Sequence, residues 1–553
     1  MTNPIVSVTI SLQIPPAPST LQRTGALVSQ GGTNTSPGTK TLLTQLSNLT
    51  PFLRGAAALT SISTSGTTAT ATTTAPHGYP IGDIVELTMA GVLISGSSSP
   101  YLNGTFPCTI TGASTFTYVT ASSSSAATTP GAYTPEDVAE LLAMATTFFA
   151  QGTAASIYAL ELGPTAPTDG VAFLAAWIAL NPNTFYAYLV PRPWDGNAAF
   201  LSFIASYEAP TAKTYFFVTT TLATYNNYTS GLLKCINALV ESPAYGVWPA
   251  NALTAISYSG GLVTATTTTA HGVVVGQWFQ IAGVTPSGYN GWWQALQGTT
   301  GSTLVYGVPA NPGSETVLGT LVLSYYSNPG IPALEFSHAA TFYDTISTNL
   351  SSVNKLQPLN QRYTYGVTPF PTQGNSAVLS QLATANVSVI GTGAAGGISA
   401  TVLVGGNTMD GNQWQYWYAI DWAQINFALS LNNAVINGAN NPVNPLVLNQ
   451  DGINSLQATA AATAGQGVSY GCLLGSVIQT ELDATPFDAA LAAGTYAGNV
   501  VINAVPFVNY YSSTESPNDY AIGRYAGFTC VLQPQLGFST IVFSIIATLL
   551  AAP

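Results

Sequence analysis

The sequence predicts a mixed α/β (α+β) protein. Its core alternates helices and strands, carries two inserted all-β modules, and ends on extended β-arms at both termini. Three observations predict this. One module occurs twice, from Leu59 to Tyr118 and again from Leu253 to Tyr306. Helical and strand patterns alternate between Thr134 and Glu241. The two ends of the chain carry strand-like segments with no hairpin partner nearby in sequence.

The repeat is read from an ordered set of turn residues. Both copies open with Leu-Thr-x-Ile-Ser, pass a Thr/Ala run, and turn at His77-Gly78 or His271-Gly272. A glycine (Gly82, Gly276), an alternating apolar run and Ala-Gly-Val follow, at Ala90 to Val92 and Ala282 to Val284. A tyrosine and an Asn-Gly turn come next (Tyr101, Asn103-Gly104; Tyr289, Asn290-Gly291), and a Ser-Thr-x-x-Tyr strand closes each copy. Turn residues in fixed order between period-2 runs describe a small β unit. Two separated copies describe insertions into a host domain. The expected boundaries are an N-terminal arm at 1–22, an α/β body at 23–58, 131–249 and 323–390, modules at 59–130 and 250–322, a C-terminal domain at 391–536 and a C-terminal arm at 537–553.

The elements follow in order. Ile5 to Leu12 alternates, with Val6, Val8, Ile10 and Leu12 on one face, and stops at Pro15-Pro16-Ala17-Pro18, which cannot continue a ladder. Such a strand is either an edge strand of its own domain or pairs with a distant segment or another chain. Thr24 to Ser29 is a strand, and 41–53 has helical spacing. The Ser/Ala/Thr run at 120–129 has linker composition. Thr134-Pro135-Glu136-Asp137 starts a helix, with Thr134 as N-cap, proline in the first turn and acids at the positive end. Strands at 156–162, 185–190 and 214–219 then alternate with helices at 170–180, 198–207 and 229–241, which implies a largely parallel sheet. Beyond the second module come a helix at 335–347 and strands near 387–390 and 398–404. A long helix follows at 412–436, with the seam Tyr418, Trp422, Ile425, Leu429 and Ile436, and a shorter one at 450–464. The tail carries strands near 500–508, 525–532 and 538–546. In the last, Phe538, Val542, Phe543, Ile545 and Ile546 put apolar residues on both faces.

Composition narrows the function. Of 553 residues only 5% are charged, against roughly 25% in ordinary soluble proteins. Aromatics at 10% and hydrophobics at 47% exclude disorder. No run reaches the roughly 18 apolar residues of a spanning helix; the best candidate, Ile541 to Ala552, is shorter and holds Ser544 and Thr548. A neutral polar surface has few groups to titrate and few ion pairs to screen, which suits a particle working outside cells, in acid included. The net charge is −12 and the nine basic residues are scattered, so no stripe exists to neutralise phosphates. Met1 is followed by neither a cationic n-region nor an apolar h-region, so the chain is expected to stay in a cytoplasm until released.

No catalytic or cofactor constellation emerges. Cys108, Cys235, Cys472 and Cys530 are far apart, which disfavours zinc and favours free buried thiols. His77 and His271 hold equivalent positions before a turn glycine, which argues for a structural job, and His338 is alone on its helix. Glu136, Asp137 and Glu140 cluster at a helix start, where the macrodipole accounts for them. Asp421 and Asp451 lie on or beside helices; a glycosidase-like pair would be needed for a carbohydrate enzyme. Gly391 to Gly396 matches G-x-G-x-x-G, but a strand follows it and no acid sits at the ribose position, so it reads as a Gly-rich β-turn. Trp278, Trp292, Trp293 and Tyr289 are either module core or sugar-stacking residues.

The order of segments in the body resembles the tail sheath proteins of contractile-tailed bacteriophages. Thr146-Thr147-Phe148-Phe149-Ala150-Gln151-Gly152 followed by Ile157-Tyr158-Ala159-Leu160 resembles a helix-then-strand of that family. Gly405 through Asp421-Trp422 and Ile425, then Asn444-Pro445 to Asp451-Gly452-Ile453 and Leu456, resembles its C-terminal signature, and Gly471 to Gly475 fits the loop after it. The resemblance implies a virion structural protein with no enzymatic activity, cofactor or metal. It implies stacked hexameric rings around a tail tube, neighbours joined by β-augmentation through the terminal arms, and contraction during genome delivery. The implied partners are the chain itself, the tube protein, and baseplate and neck or terminator proteins, without nucleic acid or membrane insertion. Assembly would take place in the host cytoplasm. The scarcity of charge departs from typical sheaths. The inserted modules are expected on the outer surface, tolerant of deletion. The alternative is a surface-layer or adhesin-like glycan-binding protein.

Overall fold

The computed structural model describes residues 20–538 apart from 100, 121–123, 222–223, 229–232, 242–250, 272, 274–277, 323–333, 370–375, 394–399 and 513–517. The strand expected at 5–12 and all of the C-terminal strand beyond Phe538 lie outside the described residues. The chain divides into two compact units. The first takes in the described residues up to Thr348, with Tyr363–Leu403 and Thr408–Gly411. The second takes in Asn349–Arg362, Val404–Asn407 and the described residues from Asn412 onward.

The fold is mixed α/β. The first unit is built on an eight-stranded sheet in the spatial order 40–43, 157–161, 25–29, 187–189, 215–220, 236–240, 388–393, 400–404. The strands from 157–161 to 388–393 run parallel, and 40–43 joins antiparallel at one edge. Gly25–Ser29, Tyr215–Thr220 and Ile236–Val240 are buried at every position. That is why they read as continuous apolar runs rather than alternations: helices cover both faces of a parallel sheet. The chain lays down 25–29, steps outward to 157–161, then returns to the other side at 187–189. The strand order therefore reverses between 25–29 and 187–189, the switch point at which open α/β sheets usually hold ligands.

Three helix expectations are corrected. Residues 41–53 form the edge strand Lys40–Leu43 and two 3-10 turns, Leu46–Asn48 and Thr50–Phe52. The Asn48 side chain accepts from the amides of Thr44 and Gln45, which closes the turn and ends the regular spacing. In 229–241 the described part is the buried strand Ile236–Val240; a short apolar run does not distinguish a buried strand from a helix. Thr134 does not cap a helix: Ala132–Pro135 is a strand, and helix Glu136–Ala150 starts directly after it. In the tail, Val500–Ala504 is a strand but Phe507–Ser512 is a helix, and the second long helix runs on to Ser469.

The two modules are copies in three dimensions. The first is a closed six-stranded barrel. The second keeps the same strand order but has Gly291–Gln294 and Thr303–Gly307 as its two edges. Both opening hairpins slip register at the same place, Leu59/Ser61 and Leu253/Ala255. Asn103 exchanges two hydrogen bonds with Val92, and Asn290 does the same with Val284. His77 Nδ1 accepts the Tyr79 amide at 3.2 Å and His271 Nδ1 the Val273 amide at 3.0 Å, so both histidines cap the turn that follows. Tyr289 and Trp293 join the second core, with Trp293 stacked on Tyr306. The 120–129 run is not a free linker: Ala127 donates to the Ile62 carbonyl and Thr128 to that of Leu93.

The first module is also fastened to the body. Asp83 accepts the Ala166 amide at 2.9 Å, at the start of helix Pro167–Leu180, and Thr88 donates to Glu136 at 3.1 Å. The insert thus meets the body beyond its two chain connections.

The second unit pairs helix Trp414–Ala439 with helix Gln450–Ser469 over a three-stranded sheet, Val477–Thr480, Val500–Ala504 and Phe528–Val531. Trp422, Ala423, Ala460 and Ala464 form the helix seam with Val500 and Ile502 beneath. Gln457 ties helix to sheet through the Thr480 and Ile502 carbonyls.

Gly131 and Gly319 occupy the same place in the two modules. A Cβ at either would run into a carbonyl oxygen, that of Ala90 or Ala282. Gly131→Ala and Gly319→Ala should each destabilise their own module by about 2–3 kcal/mol, read by hydrogen exchange within that module. Equal protection before and after substitution would refute the shared geometry.

Candidate functional site

The carboxyl ends of the parallel strands carry most of the unusual chemistry. Glu161 closes strand Ile157–Glu161, opposite Ser29. It is 1% exposed. Its Oε1 accepts the amides of Gly31 at 2.6 Å and Gly163 at 2.7 Å. Its Oε2 accepts the Ser29 hydroxyl at 2.9 Å, the Thr33 amide at 2.9 Å and the Thr33 hydroxyl at 2.7 Å. Gly31 and Gly163 have φ of 98° and 90°, a region that favours glycine, and this turns their amides inward. The loop after the first strand is thus filled, on the side of strand Ile157–Glu161, by a side chain of the protein itself.

A second group surrounds Arg192. Its guanidinium lies 2.7 Å from Glu241 and 3.8 Å from Glu140, donates to the Glu335 carbonyl at 3.0 Å and stacks over Phe336 at 4.1 Å. Glu140 also accepts the Arg192 amide, and Glu241 accepts the Ser337 amide. The Glu335 carboxylate accepts from Ser337 and from both the amide and hydroxyl of Thr368. Burial pushes the Glu140 carboxyl up to about 7 although Arg192 and its amide pull the other way. Burial also raises Glu136 and Glu335, and it raises Asp137 together with the charges of Glu140, Glu161 and Glu136. The helix-start reading of Glu136, Asp137 and Glu140 is therefore incomplete, because the buried Glu140 faces the half-buried cation of Arg192.

The other singled-out residues lie apart from these two groups. His338 is fully buried, its Nε2 lies 2.9 Å from Asn237 Oδ1, and burial lowers it to about 3, so it is neutral. Asp421 is buried within helix Trp414–Ala439, while Asp451 lies in the first turn of helix Gln450–Ser469. Gly391-Thr392-Gly393 ends a strand, and the rest of that motif lies outside the described residues. Cys108, Cys235 and Cys472 are buried and free; Cys530 is free but exposed. Among the described residues no group of His, Cys, Asp or Glu could hold a metal, and no helix is long and apolar enough to cross a membrane.

A surface of a different kind lies in the second unit. Tyr418, Trp422 and Ile425 are buried, but Leu429 is 40% exposed and Ile436 59%. An open, apolar groove of about 470 Å³ runs between this helix and the sheet, lined by Phe427, Leu431, Ile502, Phe528, Cys530 and Leu532 among others. Strand Phe528–Val531 borders it, and no further strand lies beyond it or beyond Val477–Thr480 among the described residues. Gly537 is held by a reciprocal pair of hydrogen bonds to Gln413, each 3.0 Å, and Phe538 beyond it is 84% exposed. Val6, Val8, Ile10, Leu12, Val542, Phe543, Ile545 and Ile546 lie outside the described residues. Periodicity flagged the helix, but its groove follows from sheet strands distant in sequence, which periodicity does not see.

Glu140 sets a pH dependence of unusual sign. A carboxyl raised in the folded state stabilises fully below its ordinary value, and this is lost as pH rises through about 7. The first unit should therefore gain stability as pH falls from 8 to 5. Glu140→Gln, which removes the titrating carboxyl, should flatten that slope. Thermal melts across pH decide it; a wild-type slope of the opposite sign would defeat the assignment.

No family model matches the chain, and no curated protein does. Among solved structures it is similar to a sheath tail protein from Listeria innocua, at 8% identity over 82% of this chain and 88% of that one, with a TM-score of 0.33. At that score the likeness decides nothing about function.

Proposed function

We propose that this chain is a structural subunit of a contractile phage tail sheath that polymerises through its terminal arms. The observation that carries the reading is the three-stranded sheet of the second unit, whose edge strand Phe528–Val531 borders an apolar groove with no further strand beyond it among the described residues. A free strand edge recruits a further strand, because its amides and carbonyls need partners and the adjoining groove takes alternate side chains. The sequence offers such strands at both ends, 5–12 and 538–546. The C-terminal segment after Phe538 has 15 residues (539–553). Fully extended, it reaches about 50 Å, enough to leave its own unit.

Pairing of this kind is heterologous, so it propagates as an open array and suits stacked rings around a tube. Contraction would then draw on the difference in buried surface between two lattices, with no nucleotide. Partners would be the chain itself, the tube, the baseplate and the neck. The Glu161 carboxylate at the carboxyl end of the sheet is consumed by internal hydrogen bonds, which supports a structural role.

Negative-stain microscopy of the full chain beside one lacking 1–18 tests the reading. Hollow tubes from the full chain, lost on truncation, are expected; dispersed particles in both, even with tube protein added, would count against it. Cys530→Asp places a charge in the groove at an exposed position. It should leave circular dichroism and melting unchanged while abolishing tubes, and intact tubes would show that the groove is not the docking surface.

A further inference from the structure

We propose that the loop Gln30 to Thr33, with Gly163, is a built carboxylate-binding site whose tethered occupant is Glu161. The loop meets the requirements of an oxyanion site. Three backbone amides and two hydroxyls converge on one carboxylate from 2.6 to 2.9 Å, with every one a donor. Successive amides turned inward by a left-handed glycine form an anion-binding concavity. Ser29 is itself oriented, since its oxygen accepts the Gly32 amide at 3.0 Å while its hydroxyl serves Glu161. The site stands at the carboxyl ends of two neighbouring parallel strands, Gly25–Ser29 and Ile157–Glu161. Its walls are tight: a Cβ on Gly31 would meet Pro164 at 2.9 Å, and one on Gly32 the Asp137 carbonyl at 2.7 Å.

The occupant fixes more than the loop. Asn34 donates to the Phe52 carbonyl and Arg54 to that of Gly32, and Thr33 bridges Leu53 antiparallel. Residues 52–54 are the stem from which the first module rises three residues later, at Ala57. The carboxylate thus holds the loop that holds the stem.

The test uses the full chain. Glu161→Ala removes a CH2–COO⁻ unit that free acetate replaces. The variant should melt on the order of 5 °C lower. It should recover saturably with acetate, while chloride at equal ionic strength does not restore it. An unshifted melting point, or equal recovery in acetate and chloride, overturns the proposal. If the alanine variant does not fold, Glu161→Gln keeps the volume but turns one acceptor into a donor. Amide exchange at Gly31, Thr33 and Gly163 should then speed by about tenfold or more. Unchanged exchange overturns the proposal as firmly.

Discussion

One half-buried cation holds together the places where the first unit is most interrupted. Arg192 follows strand Ala187–Leu189 and meets Glu241, just past strand Ile236–Val240, and the segment Glu335 to Ser337, just before helix His338–Ile346. The second module is inserted between those two points. Through Glu140 the same guanidinium reaches the helix that leaves the first module. A chain with 5% charged residues has thus placed several of them inside, at a junction. Hydrogen bonds to charged groups are the stronger kind, and a buried carboxylate such as Glu241 left without its cation would be costly.

This arrangement explains how the fold tolerates insertion. A parallel sheet has its loops at two edges, and the carboxyl edge here is fixed by two internal electrostatic knots, Glu161 with its donors and Arg192 with its acids. Both modules connect near these knots. The host sheet does not depend on the inserts for its core, yet the first insert contributes Asp83 and Thr88 to the body's helix starts.

Much of the architecture was legible in the sequence, and the failures are instructive. The repeat was legible because turn chemistry is local: the same Asn, His and Gly do the same job twice. The alternating core was legible wherever a strand was bounded by clear breakers. Residues 41–53 misled because Leu42, Leu46, Leu49 and Phe52 keep helical spacing while the backbone is claimed by Asn48 and by pairing with Ile157–Glu161. Ile236–Val240 misled because burial on both faces erases periodicity. Glu161 leaves no mark in the sequence because its partners are mostly backbone amides, which no side-chain pattern reveals. The run Gln30-Gly31-Gly32-Thr33 after a strand was the available signal.

The entry point of the N-terminal segment has a mechanical consequence. It passes through the turn Leu21–Arg23 straight into strand Gly25–Ser29, which is hydrogen-bonded on both sides, to 157–161 and to 187–189. Tension applied along that segment loads a central strand lengthwise. Its ladder bonds then resist in shear and must yield together, rather than peel one by one as at an edge. A subunit gripped by its N-terminus would therefore transmit a pull into the stiffest part of its body before it unravelled.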